Sequence, residues 1–93
     1  MRNNRKVFIV YGSNDCIYCK KTMDTINNNG DIVEYRNISR DNKARQYIVN
    51  DLGAKTIPQI FIRNFDGTEI KIGGFEDLEL YYSFEDVFKN QNQ

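Results

Sequence analysis

Cys16 and Cys19 are separated by two residues in "NDCIYCKK", and they are the chain's two thiols. A pair at that spacing could be a covalent staple, half of a metal site or a working redox couple. As a staple it closes a very small loop, worth roughly 2 kcal/mol at most by chain-entropy reasoning. As a structural zinc site it lacks ligands, because such sites take four cysteine or histidine groups and the sequence holds no histidine. Two carboxylates, or a second chain, would have to complete the sphere. A redox couple needs a nucleophilic thiolate with a resolving thiol in reach. A four-residue turn entering a helix supplies both, since a helix N-terminus offers free N–H groups and partial positive charge. On that reading Cys16 attacks. Cys19, one turn further in and facing inward, resolves. The spacing alone is a moderate signal, and its setting must decide.

Several elements can position the pair. "KVFIVY" (6–11) is β-branched and aromatic and predicts a buried strand. A loop, "GSND", follows, with Asn14 or Asp15 available as helix cap. A helix is predicted over 16–28 with Cys16, Cys19, Met23 and Ile26 as its inner stripe, stopped at "NNNG" by Gly30. "DIVEYRNI" (31–38) predicts a second strand. Ser39 is placed to cap a helix over 40–52 whose apolar positions are Ala44, Tyr47, Ile48 and Leu52, with Gly53 ending it. "QIFIR" (59–63) and "TEIKI" (68–72) form a hairpin around Asp66-Gly67. After Gly73-Gly74 a last helix is predicted over 76–90, with Leu78, Tyr81, Tyr82, Phe84, Val87 and Phe88 inward or half-inward and a polar tail that frays. The tyrosines and phenylalanines, Phe8 and Phe61 among them, are assigned to the core.

The order βαβαββα implies a right-handed crossover joining a parallel pair, then an antiparallel hairpin. The expectation is an α/β domain spanning 1–93: a four-stranded mixed sheet flanked by three helices. The reactive cysteine sits just past the end of the first strand, a common place for sites in such folds.

Composition narrows the partners. Ninety-three residues make one small domain that can bury a modest core. Thirteen basic and thirteen acidic residues cancel, so no long-range field attracts nucleic acid or an anionic membrane. The longest apolar run near the N-terminus, Val7 to Tyr11, is too short for a signal peptide or a span. A cytoplasmic, reducing setting is expected, where close cysteine pairs are more often catalytic or metal-binding than structural.

Three motifs now stand in order: "CIYC" at 16–19, "TIP" at 56–58 and "GGFED" at 73–77. With this element order the chain resembles a glutaredoxin, the glutathione-dependent branch of the thioredoxin superfamily, from Val7 to the last helix. The "VYG" before the cysteines and the short length are similar to small phage-type glutaredoxins. The resemblance implies a thioredoxin-like fold with Pro58 cis and facing the cysteine pair; an X–Pro bond is the one that goes cis at small cost. It implies that Thr56, Ile57 and Pro58 receive glutathione, the backbone of Ile57 pairing with its cysteinyl unit as a short ladder. Gly74, Phe75 and Glu76 would hold the γ-glutamyl carboxylate at the helix N-terminus, with Asp77 meeting the ammonium. Arg45, eleven residues before Thr56, would grip the glycine carboxylate. Tyr18 would shield the mixed disulfide.

The implied activity is reduction of protein disulfides and glutathione mixed disulfides, with Cys16 as nucleophile and Cys19 as resolving thiol. The poise would be on the order of −200 to −230 mV. Glutathione would be the co-substrate, with no tightly bound cofactor and no metal. Partners would be disulfide-containing or glutathionylated proteins, ribonucleotide reductase being a frequent family client. A monomer is expected. Four residues depart from the usual family pattern: Ile17 replaces a proline, Ser13 a lysine, Phe75 a cysteine or serine, and Glu76 a serine or aspartate. With Asp15 adjacent, the Cys16 thiolate should be favoured over that of a free cysteine, but less than the family pattern gives. Lys20, Lys21 and Lys55 offer partial compensation. Two alternatives stay open. One is a thioredoxin-like reductase fed by a flavoprotein, against which stands the lack of W-C-G-P-C and of any tryptophan. The other is an iron–sulfur cluster carrier, whose typical C-G-F-S motif is absent.

Overall fold

The computed structural model describes residues 5–91, with side chains through residue 86. Its elements run β1 (Val7–Gly12), α1 (Ile17–Asn28), β2 (Ile32–Asn37), α2 (Asn42–Gln46), a π-helical turn (Tyr47–Asp51), β3 (Gln59–Arg63), β4 (Glu69–Gly73) and α3 (Phe75–Gln91). The strands form one sheet in the order β2-β1-β3-β4. β1 lies parallel to β2, antiparallel to β3, and β3 antiparallel to β4. The mixed sheet and its helices are the expected architecture.

β1 is central, so its alternating side chains feed two cores. Phe8 and Val10 pack with Ile26 of α1, Ile60 of β3, and Leu78 and Tyr82 of α3. Ile9 and Tyr11 face the other way, onto Ala44, Ile48 and Phe61. Thus α1 and α3 cover one face and α2 with its π turn covers the other. The α3 layer is tied down by polar contacts as well. Tyr82 donates to Asp31 (2.7 Å), and Lys6 Nζ donates to Glu85 (2.9 Å). Burial, reinforced by Glu85, pushes the Tyr81 hydroxyl up to about 12, and burial with Asp31 raises Tyr82 as well. Both therefore stay protonated donors at neutral pH.

Several local expectations are corrected. The cap of α1 is Cys16 itself, not Asn14 or Asp15. The inner stripe of α1 is Cys19, Thr22 and Ile26, with Met23 only partly buried. Thr22 tolerates the core because its hydroxyl donates to the Tyr18 carbonyl one turn back (2.7 Å). Asp41, not Ser39, caps α2, its carboxylate accepting from Ala44 N–H at 3.1 Å. The helix then widens: Leu52 N–H donates to Tyr47 O, five residues back. That wider turn shifts the phase of the pattern, and Leu52 ends 40% exposed rather than inward. On α3 the inward row is Leu78, Tyr81 and Tyr82, while Phe84 is 56% exposed because Glu85 occupies the next inward place. The expectations for Val87, Phe88 and the polar tail fall outside the described side chains. The hairpin turns at Gly67 (φ +90°), where Asp66 accepts from Thr68 N–H, and Gly30 takes the left-handed conformation (φ +80°) expected at the end of α1. No helix among the described residues is long and apolar enough to cross a membrane.

Candidate active site

β1 ends at Gly12, and the chain turns through four residues into α1. Cys16 has an extended backbone, φ −109° and ψ 110°, as a cap residue should. Its sulfur accepts the N–H of Cys19 at 3.1 Å, in the place a serine or aspartate oxygen usually takes. A helix N-terminus thus points its positive end at the Cys16 sulfur, which favours that sulfur as an anion. The two cysteines are joined as a disulfide with their Cα atoms 5.2 Å apart. Their surroundings differ: Cys16 is half-buried and reachable, while Cys19 is 1% exposed.

Gly12 makes that burial possible. A Cβ there would stand 2.6 Å from Cys19 Sγ and 3.0 Å from Tyr35 Oη. A strand glycine often marks such a close approach. The sequence carries that signal in the glycine of "VYG", which closes the strand and opens the "GSND" loop.

The segment before β3 faces the pair. The Ile57–Pro58 bond is cis, as the resemblance implied. The Ile57 carbonyl oxygen lies 3.9 Å from Cys16 Sγ. Gln59 braces this segment from below: it is buried, and its amide nitrogen donates to the Thr56 carbonyl (2.8 Å). Gln59 lies outside the three motifs and is legible in the sequence only as part of the strand "QIFIR".

Gly73 and Gly74 close the site from the third side. Gly73 has φ +122°, a conformation that favours glycine, and a Cβ there would run into the Asp77 carboxylate. Gly74 N–H donates to Asp77 Oδ2 (2.9 Å), and Leu78 N–H donates to Gly74 O (3.1 Å). Asp77 therefore occupies the third helical position and reaches back to cap the start of α3. In this structure its carboxylate is engaged with backbone rather than held free.

Tyr18, Thr56, Ile57, Pro58, Gly74, Phe75, Glu76 and Asp77 together line one open cleft of about 320 Å³. The Tyr18 and Phe75 rings meet at 5.7 Å between centroids, forming one wall, and Lys21 Nζ sits 5.1 Å over the Tyr18 ring. Arg45 is not brought here. It is exposed on α2 and lines a separate hollow with Asn42, Gln46, Val49 and Asn50. Lys20 pairs loosely with Asp24 on the surface. Among the described residues no group of three or more histidine, cysteine or acidic side chains is placed to hold a metal ion.

The Glutaredoxin family model matches residues 8–65, which hold the cysteine pair and the cis proline. The chain is 28% identical over 85 residues to Glutaredoxin-1 of ectromelia virus, covering 84% of this chain and 71% of that one. The solution structure of glutaredoxin from Brucella melitensis superposes with a TM-score of 0.64 at 26% identity, over 97% of this chain and 89% of that one. Glutaredoxin 1 from Francisella tularensis, complexed with cacodylate, shares the fold with a TM-score of 0.62 at 24% identity, over 95% and 99%. With a matched family model spanning both the Cys16–Cys19 pair and Pro58, this chain belongs to the glutaredoxin family and is a thiol-disulfide oxidoreductase.

Proposed function

We propose that this oxidoreductase is glutathione-dependent, with Cys16 as nucleophile and Cys19 as resolving thiol. One observation carries the reading. The backbone of Thr56–Pro58 and the start of α3 line a single cleft whose inner edge, the Ile57 carbonyl, is 3.9 Å from the reachable sulfur. A short peptide laid along Ile57 would bring its own cysteine to Cys16. Its carboxylate end would meet the N–H groups of α3.

The exchange then runs in two displacements. The Cys16 thiolate attacks the glutathionyl sulfur of a mixed disulfide, a Cys16–glutathione bond forms, and the protein thiolate leaves. A second glutathione thiolate attacks the glutathionyl sulfur, breaking that bond. Cys16 leaves as thiolate and oxidised glutathione is released. With a protein disulfide, Cys16 instead forms a mixed disulfide with one substrate sulfur, and Cys19 attacks Cys16 to expel the reduced protein. The difference in exposure supports this division: the entering sulfur must be reachable, whereas the resolving one need only reach its neighbour.

Two earlier expectations are modified in this proposal. Asp77 acts first as the cap of Gly74, so the γ-glutamyl carboxylate would use the N–H groups left beside it. Arg45, lining another hollow, is given no contact with the tripeptide. Protein clients, a monomeric state and a cytoplasmic setting remain part of the proposed reading. The test is turnover of a glutathione mixed disulfide with glutathione as reductant, wild type against Cys16→Ser. Saturable turnover that vanishes in the variant is expected. Turnover supported by thioredoxin reductase but not by glutathione would contradict the proposal.

A further inference from the structure

The segment that carries the cis proline has a second side. Thr56 and Ile57 line the cleft described above, and they also line a separate hollow of about 220 Å³. Its other walls are mostly apolar: Ile38 just past β2, Ile48 and Val49 from the π turn, and Ala54 from the loop that follows. Backbone hydrogen bonds anchor them. Ile38 N–H donates to Gly12 O (2.9 Å), Ala54 N–H donates to Ile48 O (2.9 Å), and the Thr56 carbonyl accepts from Gln59 (2.8 Å). The hollow is therefore preformed. Ile48 is buried and makes its floor, while Val49, 45% exposed, stands at its rim. Turns of the π type recur at functional sites. The volume falls below the roughly 300–1,000 Å³ of small-molecule sites and suits one large side chain.

We propose that this hollow receives an apolar side chain of a protein disulfide substrate, close to the cysteine that Cys16 attacks. The Ile57 carbonyl is 3.9 Å from Cys16 Sγ, so a substrate cysteine in exchange with Cys16 stands beside Ile57. An extended chain advances about 3.3 Å per residue, and a neighbour one or two places along comes level with the hollow. That continuity with the reacting sulfur, through Ile57, commits the hollow to a substrate. Glutathione itself has no apolar side chain to put there. Charge completes the match. Lys55 is exposed at the rim, Val49 also borders the hollow that holds Arg45, and among the described residues no carboxylate lines either hollow. The fitting segment is an apolar residue with a carboxylate beside it. The hollow makes and breaks no bond; it adds affinity for protein disulfides over glutathione mixed disulfides.

The inference rests on Cys16 as the attacking sulfur, and one experiment keeps the two apart. Reduced enzyme, freed of reductant, is mixed in stopped flow with a peptide closed by an internal disulfide, whose opening is read from a donor and a quencher at its ends. No glutathione is present, so dependence on it does not enter. Cys16→Ser should open no peptide; if it does, the assignment of Cys16 fails, whatever the hollow does. Two peptides are compared, with leucine and glutamate or with serine and glutamate within two residues of each cysteine. The leucine peptide should half-saturate the wild type at a roughly tenfold lower concentration, as burial of one such side chain predicts. Val49→Asn, a change at the exposed rim, should bring that ratio below about three. The ratio is taken within each enzyme, so a general loss of activity cancels. Exchanging the glutamates for lysines should weaken the leucine peptide a few-fold, a difference that added salt should abolish. Equal half-saturation by the two peptides, or a leucine preference that survives Val49→Asn, would overturn the hollow as a substrate site. Equal or better use of the lysine peptide would overturn the acidic half of the match. A wild-type dimer in sedimentation that Val49→Asn dissociates would assign the hollow to a second copy of this chain instead.

Discussion

Two helix starts face each other across the cleft, and they are finished in opposite ways. At α1 the cap is one sulfur of the redox pair: Cys16 Sγ takes the Cys19 N–H and sits half-exposed. At α3 the cap is a carboxylate: Asp77 closes on Gly74 N–H. Both ends offer the same positive field. One lends it to a sulfur whose bonding changes during the reaction. The other is held in shape by its own side chain, which in the proposed reading leaves the neighbouring N–H groups for a ligand. The contrast separates chemistry from binding within one fold, and each prediction below presses on one side of it.

The largest effect should come from Cys16→Ser, which divides the two duties of that residue. Serine is a good helix cap, so thermal unfolding under reducing conditions should match or exceed that of the wild type while exchange activity falls to the uncatalysed background. Loss of both together would mean that the sulfur holds the fold rather than the chemistry. Next, Gly12→Ala places a methyl 2.6 Å from Cys19 Sγ. Overpacking of this kind costs about 1–3 kcal/mol, to be read by urea unfolding of the reduced protein. A neutral result would mean that α1 is not seated on β1 at that point.

On the binding side, Asp77→Ala removes the α3 cap, worth about 1 kcal/mol. It should raise the KM for glutathione a few-fold with little change in kcat, since no reacting atom is touched. A kcat loss without a KM change would place Asp77 in the chemistry instead. The smallest effect lies away from the cleft, where the Arg63 guanidinium grips Glu34 with two hydrogen bonds (2.7 and 2.9 Å). That grip holds the Glu34 carboxyl below its ordinary 4.5. A lowered carboxyl contributes stability above its unfolded value, and that stability is lost as pH falls through the folded one. Glu34→Gln should therefore be slightly less stable than wild type above about pH 5 and equal to it in strong acid. Because the Glu34 side chain is 42% exposed, the difference should stay below about 1 kcal/mol. Equal pH profiles would show the pair to be inert.

The motifs made most of the cleft legible before any coordinates. Tyr18, Thr56 through Pro58 and Gly74 through Asp77 were named from three short stretches, and they line one surface. Backbone-led sites are readable in this way because glycine, proline and their neighbours constrain φ and ψ directly. What was misread depends on competition between groups that a sequence does not rank. Asn14, Asp15 and Cys16 could each cap α1, and the sulfur took the place. Asp77 can serve a ligand or its own backbone, and here it accepts from Gly74 N–H. Leu52 and Phe84 follow helical spacing on paper, but a π turn shifts the phase before Leu52, and Phe84 falls off the row that Leu78, Tyr81 and Tyr82 make. Arg45, which the resemblance sets toward the glycine carboxylate, lies exposed on α2 beside a separate hollow.

The most direct test of the account is single-thiol turnover. Cys19→Ser, which keeps the reachable sulfur and the cleft, should still cycle a glutathione mixed disulfide with glutathione as reductant while losing intramolecular resolution of protein disulfides. Loss of the glutathione reaction in that variant, with the fold intact, would contradict the claim that Cys16 alone exchanges with a tripeptide held along Ile57.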